Sequence, residues 1–354
     1  MTEPLSNGAV YQSVPESYVL PEHQRPRSSP PSSAAAIPVV DLGGDDPDRT
    51  AEQIVAAGKE FGFFQVINHG VAEDVMASMM SAAEEFFRLP TDEKMAHYST
   101  DSTKLPRFHT SVGKEQEKVL YWRDCLKIGC YPFEEFRHRW PEKPAGLGAA
   151  LEAYTAAVRS VALRVLRLAA SGLGLEDEAH FEGGELTAGP VVMNVNHYVA
   201  CPDPSLTLGI APHCDPNVVT VLMDNGVRGL QARRRRGEGE GEGEGEGEGG
   251  GWVDVDPPPG ALVVNFGHQM EAVTNGRVRA GEHRAVTSAR AARTSLAAFV
   301  MPAMGYVVSP APGVVAEGEA LLFRSYTYQE FVSVYTAATG DRDAVLARFR
   351  NNNG

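Results

Sequence analysis

The sequence predicts a mainly β protein with flanking helices, and three observations carry that expectation. From about residue 188 onward, short apolar runs are separated by Gly, Pro and Asp, the texture of a β-sandwich or a double-stranded jelly roll. Ahead of that point, stretches near 48–61, 71–88 and 147–171 carry apolar residues at helical spacing. Between the first two, Phe61 to Ile67 reads as a short buried strand.

Residues 1–36 are rich in Pro and Ser, with Pro26, Pro30 and Pro31, and are expected to form a flexible arm. A mostly helical region over 37–187 follows. Its second helix shows Val71, Val75, Met79 and Phe86 on one side and stops at Leu89-Pro90. Its third carries the stripe Leu151, Tyr154, Val158, Val161, Val165 and Leu168, with Gly172 as the expected terminator. The β core is expected over 188–310. A C-terminal segment, 311–354, includes a short helix near Tyr328 to Tyr335. The tract 233–251 begins with Arg233 to Arg236 and continues as alternating Gly and Glu. Alternate glycines and repelling carboxylates cannot build a packed strand, so a solvated loop between Leu230-Gln231-Ala232 and Trp252-Val253 is expected.

The formal net charge of −14 speaks against a nucleic-acid partner, because counterion release requires a basic surface. The four cysteines, Cys125, Cys130, Cys201 and Cys214, lack paired spacing, so neither a zinc ribbon nor a disulfide framework is expected. No run approaches the roughly 18 apolar residues of a membrane span. Met1 to Val10 shows no basic stretch followed by an apolar one. The expectation is a soluble cytoplasmic protein, and no coiled-coil heptads contradict a monomer.

Chemistry concentrates in His213-Cys214-Asp215. At the start of an extended strand, residues two apart share a face, so His213 and Asp215 can grip one metal ion while Cys214 points away. His283 can complete the set. Two imidazoles and a carboxylate on one side of an octahedral ion leave three positions open, the arrangement of non-haem Fe(II) oxygenases.

These elements join others in a fixed order: Ile37-Pro38-Val39-Val40-Asp41-Leu42, Gly62 to Gly70, Asn196-His197-Tyr198, the His213/Asp215 pair, and Arg293-Thr294-Ser295. Together they resemble the plant soluble 2-oxoglutarate- and Fe(II)-dependent dioxygenases. Tyr121-Trp122-Arg123-Asp124-Cys125-Leu126 and the run Val264 to Glu271 resemble the branch containing hyoscyamine 6-hydroxylase and the mugineic-acid dioxygenases. The resemblance implies a jelly-roll core and the order of its strands. It also implies Fe(II) held by His213, Asp215 and His283, with 2-oxoglutarate as cosubstrate and ascorbate as reductant. Arg293 would fork onto the cosubstrate's far carboxylate, Ser295 would donate beside it, and Tyr198 and Asn196 would complete that pocket. The partners implied are O2 and a small plant metabolite or hormone, hydroxylated or desaturated in a pocket walled by Trp122, Lys127, Asn194, Phe299 and Met301. His268 departs from the acidic residue common after the Asn-x-Gly of relatives, and a turn-capping role is expected for it.

Two other classes are weighed against this. A catalytically silent jelly roll that only holds a ligand would be free to lose one of these five residues, His213, Asp215, His283, Arg293 or Ser295. A zinc hydrolase would leave Arg293 and Ser295 without purpose and has no evident carboxylate placed as general base.

Overall fold

The computed structural model describes residues 3–26, 36–111, 119–234, 251–338 and 341–351. In chain order the elements are β1 (Val39–Asp41), α1 (Pro47–Glu60), β2 (Phe63–Ile67), α2 (Glu73–Arg88), α3 (Thr91–Met95), β3 (Arg107–Thr110) and β4 (Asp124–Tyr131). Next come α4 (Phe133–Phe136), α5 (Leu147–Gly172), β5 (Val191–Tyr198), β6 (Leu208–His213), β7 (Val219–Asp224), β8 (Leu230–Arg233) and β9 (Trp252–Asp254). The chain finishes with β10 (Leu262–Phe266), α6 (His268–Val273), β11 (His283–Val286), β12 (Arg293–Val300), β13 (Val307–Val308), β14 (Tyr326–Thr327), α7 (Tyr328–Ala337) and α8 (Arg342–Leu346).

Two sheets make the jelly roll. The larger is ordered β1-β2-β10-β7-β12-β5-β4-β3, and the smaller β6-β11-β8-β9. Apart from the parallel β1–β2 pair, every ladder in them is antiparallel. Strands β3 and β4 lie inside the region read as mostly helical. Their Arg107, His109 and Lys127, with Arg123 just ahead of β4, break the apolar pattern that marks a strand, so periodicity alone concealed them.

Helices α1, α2 and α5 cover the outer face of the large sheet. Asp46 opens α1, accepting from the Arg49 backbone N–H at 3.0 Å with Pro47 as the first helical residue. In α5 the predicted stripe is the buried one, with Leu151, Tyr154, Val158, Val161 and Val165 each at most 3% exposed. Gly172 does not terminate this helix as expected; it is the last helical residue, and a Cβ there would stand 2.6 Å from the Ala51 carbonyl oxygen of α1. The glycine serves close helix approach, and the left-handed residue that turns the chain is Gly174, at φ +76°. Thr327 caps α7 by accepting from Glu330 N at 3.2 Å.

The arm read as flexible is, over residues 3–26, largely fastened to the body. Leu5, Val14, Tyr18 and Leu20 are buried, and Asp124 receives the backbone N–H groups of Leu5 and Ser6 at 3.1 and 2.7 Å. Apolar residues at 5, 14, 18 and 20 outweigh the Pro/Ser composition that suggested mobility. Residues 27–35 of the arm lie outside the described residues, as do 235–250 of the Arg/Gly/Glu tract. The tract's two flanks are described: β8 and β9 pair as neighbours, Arg233 opposite Trp252. Among the described residues no helix is long and apolar enough to cross a membrane.

Candidate active site

The site lies between the two sheets. In the small sheet, β6 and β11 pair so that His213 stands opposite His283, with ring centroids 4.2 Å apart. His213 is the last residue of β6, and Asp215 lies just beyond it, so the triplet sits at a strand's end and not at the start read from the sequence. The His213, Asp215 and His283 ligand atoms lie within 4.8 Å of one another. Nε2 of His213 is 3.7 Å, and that of His283 3.8 Å, from Asp215 Oδ1. One ion with bonds of roughly 2.1 Å fits between such atoms.

Each of the three side chains is oriented by a neighbour. The Nδ1 atoms of His213 and His283 face the carbonyl oxygens of Ala211 and Gly281 at 2.9 and 3.0 Å, so Nδ1 carries the proton and Nε2 offers its lone pair. Asp215 Oδ2 accepts from Thr220 Oγ1 at 2.6 Å and Asn265 Nδ2 at 2.8 Å, which leaves Oδ1 to a metal. Burial, reinforced by His283, pushes the His213 imidazole down to about 4, so it is neutral at pH 7 and able to ligate. Burial works against the Asp215 charge, yet the two imidazoles and the hydrogen bonds from Thr220 and Asn265 keep its pKa below the usual carboxylate value. Sequence reasoning missed Thr220 and Asn265. A polar residue facing inward within an apolar strand, as in Leu262-Val263-Val264-Asn265-Phe266, was the available signal.

Arg293 and Ser295 on β12 stand opposite Tyr198 and Asn196 on β5, and all four line the same cavity as the triad. The Arg293 guanidinium is 3% exposed; Nε donates to Val227 O at 3.0 Å and Nη2 to Asp224 Oδ2 at 2.6 Å. Asp224 therefore holds the guanidinium in place, and Nη1 remains for a ligand. Ser295 Oγ is buried beside the Tyr198 phenol without a well-formed hydrogen bond. Burial raises the Tyr198 pKa, which keeps the phenol a donor. Gly209 of β6 has no side chain because a Cβ would meet the Tyr198 ring at 2.5 Å. Asn196 accepts from Arg123 Nη1 at 2.9 Å. A keto acid with a far carboxylate suits this set, which offers a pinned guanidinium and an orphaned hydroxyl to one end and a metal site to the other.

The structure divides the expected pocket walls. Asn194, whose Oδ1 is buried without a partner, and Phe299 line the cavity. Lys127 pairs with Asn194 across β4–β5 and continues that face beyond it. Met301 follows β12 and packs against the helical core instead. Trp122 is a correction: it is fully buried between Tyr11 and Tyr18 of the N-terminal arm, with Nε1 donating to Val199 O at 3.0 Å. Trp122 and Arg123 lie just ahead of β4, and it is Arg123 that faces the cavity. Trp122→Ala is therefore expected to cost about 3–5 kcal/mol of stability and to expose residues 3–20 to protease. Circular-dichroism melts and limited proteolysis check this; a changed substrate preference at unchanged stability would contradict it.

His268 is a second correction. It opens α6, yet its ring caps nothing; both ring nitrogens are buried without partners near Phe331 and Tyr335. Burial brings its pKa down to about 4, and burial does the same to His197, stacked on Phe87. A depressed folded-state value means that the unfolded chain takes up protons first. The stability these residues contribute is complete above pH 6.5 and is lost as pH falls toward 4. Each such group gives a slope of up to about 1.4 kcal/mol per pH unit. Urea melts at pH 7, 6 and 5 are expected to show it, with His268→Leu lowering the slope by one group's share; identical slopes in both proteins would refute the assignment.

Comparison with known proteins agrees with this geometry. Residues 37–143 match the family model described as non-haem dioxygenase in morphine synthesis N-terminal, and residues 190–302 match that of the 2OG-Fe(II) oxygenase superfamily. The chain is 37% identical over 324 residues to 2'-deoxymugineic-acid 2'-dioxygenase of Hordeum vulgare, covering 91% of this chain and 90% of that one. It is 37% identical over 351 residues to flavanone 3-dioxygenase 2 of Oryza sativa subsp. japonica, covering 98% and 97%. Among solved structures, JOX2 in complex with 2OG, Fe and JA superposes with a TM-score of 0.79 at 28% identity, over 92% of this chain and 90% of that one. With two family models spanning most of the fold and full-length relatives at this identity, the chain belongs to the 2OG-Fe(II) oxygenase superfamily, among its plant 2-oxoglutarate- and Fe(II)-dependent dioxygenases.

Proposed function

We propose that His213, Asp215 and His283 hold the ferrous ion, that Arg293, Ser295, Tyr198 and Asn196 hold 2-oxoglutarate, and that the enzyme hydroxylates or desaturates a small plant metabolite or hormone. The observation that carries this reading is the convergence of two imidazole Nε2 atoms on one free carboxylate oxygen, Asp215 Oδ1. Bound together, Fe(II) and 2-oxoglutarate would let O2 act as the oxidant, the keto acid giving up two electrons as it is converted to succinate and CO2.

The chain's own residues do the positioning. Ala211 and Gly281 fix the imidazole tautomers through their carbonyl oxygens, and Thr220 and Asn265 aim one carboxylate oxygen. Arg293, steadied by Asp224, neutralises the far carboxylate of the keto acid, while Ser295 and Tyr198 donate hydrogen bonds to it. Ile210, Leu222, Ala297 and Phe299 give the cavity apolar walls that keep bulk water from the reacting carbon. Arg123 and Asn196 brace one another at the cosubstrate end.

Ascorbate would keep the iron ferrous between turnovers, and a cytoplasmic monomer is the accompanying expectation. The named relatives act on 2'-deoxymugineic acid and on a flavanone, and JOX2 holds JA, which favours a small-molecule substrate here. Anaerobic titration of the protein with Fe(II) and then 2-oxoglutarate is expected to produce a weak visible charge-transfer band. Absence of the band would overturn the reading in favour of a silent binding protein or a zinc site. Thr220→Val is expected to weaken Fe(II) binding by about 10–100-fold, because it leaves the ligand present but poorly aimed. An unchanged Fe(II) titration in that variant would remove Thr220 from the scheme.

A further inference from the structure

The inner face of the large sheet continues past the cosubstrate residues onto β4 and β3, and its chemistry changes there. Directly paired residues of antiparallel strands share a face, so the register defines rows across the sheet. One row runs Leu222, Ala297, Asn194, Lys127, Arg107. The next runs Asp224, Ser295, Asn196, Cys125, His109. Leu222, Ala297, Asn194, Ser295 and Asn196 line the cavity of the iron ligands, and so does Arg123. Lys127, Arg107 and His109 carry the same face outward from it.

Three cations, Arg107, Arg123 and Lys127, are thus gathered around His109, and among the described residues none of them forms an ion pair. Arg107 Nε, Arg123 Nε and His109 Nδ1 are buried without a hydrogen-bond partner, as is Asn194 Oδ1 beside them. The acid nearest in sequence, Asp124, points to the other face, where Leu5, Ser6 and Thr110 occupy both its oxygens. Asp101, exposed, is the carboxylate that acts on Arg107. Burial raises the Cys125 pKa, so its thiol brings no negative charge. Burial and the adjacent Arg107 press the Lys127 pKa downward, and burial with the three cations holds His109 well below its ordinary value. Clustered like charges with unmet donors are costly in a half-buried setting unless an anion completes them. The cosubstrate does not need them, since Arg293 already meets its far carboxylate.

We propose that this row anchors the organic substrate and that the substrate is a small carboxylic acid, its carboxylate against Arg107 and Lys127 and its oxidisable carbon carried past Asn194 toward Phe299 and the iron ligands. The inference rests on the oxygenase reading above and adds the substrate's class to it. The Arg107 fork suits a carboxylate held by two parallel hydrogen bonds, with Lys127 as a second point charge. Strand β4 lies three strands from β7, about 14 Å between backbones at about 4.8 Å per strand. The Arg107 and Lys127 side chains reach back over part of that distance. An acid with one or two rings, or a chain of similar length, spans the remainder.

The test uses the anaerobic Fe(II)–2-oxoglutarate enzyme, titrated with benzoate, phenylacetate, cinnamate and indole-3-acetate, each beside its methyl ester. The readouts are the shift of the charge-transfer band and, after admission of air, succinate yield. At least one acid is expected to bind 10-fold or more tightly than its ester. Arg107→Gln and Lys127→Met are each expected to reduce that preference below 3-fold, while Lys127→Arg keeps it, and the 2-oxoglutarate band reports that each variant is folded. Esters bound as well as acids, an acid preference undiminished in both neutral variants, or no acid bound at all would overturn the proposal. Loss of the band in the unsubstituted protein would instead defeat the cofactor reading, so the two failures are distinguishable.

Discussion

Asp215→Ala is expected to abolish succinate formation, a loss of at least about a thousandfold, given that groups merely orienting a metal ligand are worth about 10–100-fold. The carboxylate is the sole anionic member of the proposed triad, and it is 3% exposed with Oδ2 committed to Thr220 and Asn265. Alanine leaves two imidazoles that no longer share a charged neighbour. Stability without metal is expected to fall as well, because alanine removes the acceptor of the buried Thr220 and Asn265 donors and a carboxylate whose ionised form the fold favours. Ferrous iron, which raises the parent's melting temperature by binding only the folded state, should leave the variant's unchanged. Melting curves with and without Fe(II) under argon, beside succinate assays, check both halves. Retained turnover would refute the ligand assignment; a collapsed metal-free fold would show that Asp215 is structural.

The chemistry of these side chains explains which parts of the site were legible in the sequence. His213, Asp215, His283, Arg293 and Ser295 are residues whose chemistry a packed core would not choose, and their spacing survives translation into strands. The supporting residues are harder to read. Thr220 and Asn265 look like ordinary strand residues until the register places Thr220 opposite Asn265 and Asp215 beside both. Asp224 resembles a strand-end turn residue, and only the fold carries it to Arg293. The large-scale order was legible because helical and strand periods differ. The N-terminal arm was misread because composition outweighed four apolar positions, and β3 and β4 because charged inner-face residues removed the apolar alternation. Trp122 and Arg123 are adjacent and lie just ahead of β4, so the choice of which faces the cavity turned on how the chain enters the strand, which the sequence leaves open when both neighbours are bulky.

Arg293→Met is expected to raise the 2-oxoglutarate requirement by about 100-fold or more, in line with the loss of one partner of a buried, hydrogen-bonded charge pair. The single substitution has a second consequence, because Asp224, 8% exposed, loses the guanidinium that neutralises it. An uncompensated buried carboxylate costs about 3–5 kcal/mol, so lowered stability accompanies the weakened binding. Pairing the change with Asp224→Asn separates the two effects. The double variant no longer buries a lone charge and should regain most of the lost stability, whereas its 2-oxoglutarate requirement should stay high, since asparagine at 224 offers nothing to a carboxylate that Arg293 served. Steady-state kinetics in 2-oxoglutarate, together with urea melts, measure the two quantities independently. If the double variant regained cosubstrate affinity along with stability, Arg293 would be a structural cation for Asp224 and the far carboxylate would need another partner. If neither quantity recovered, the coupling between Arg293 and Asp224 would extend to the strand register itself, because both residues stand at the end of the β7–β12 ladder where Ser295 pairs with Asp224.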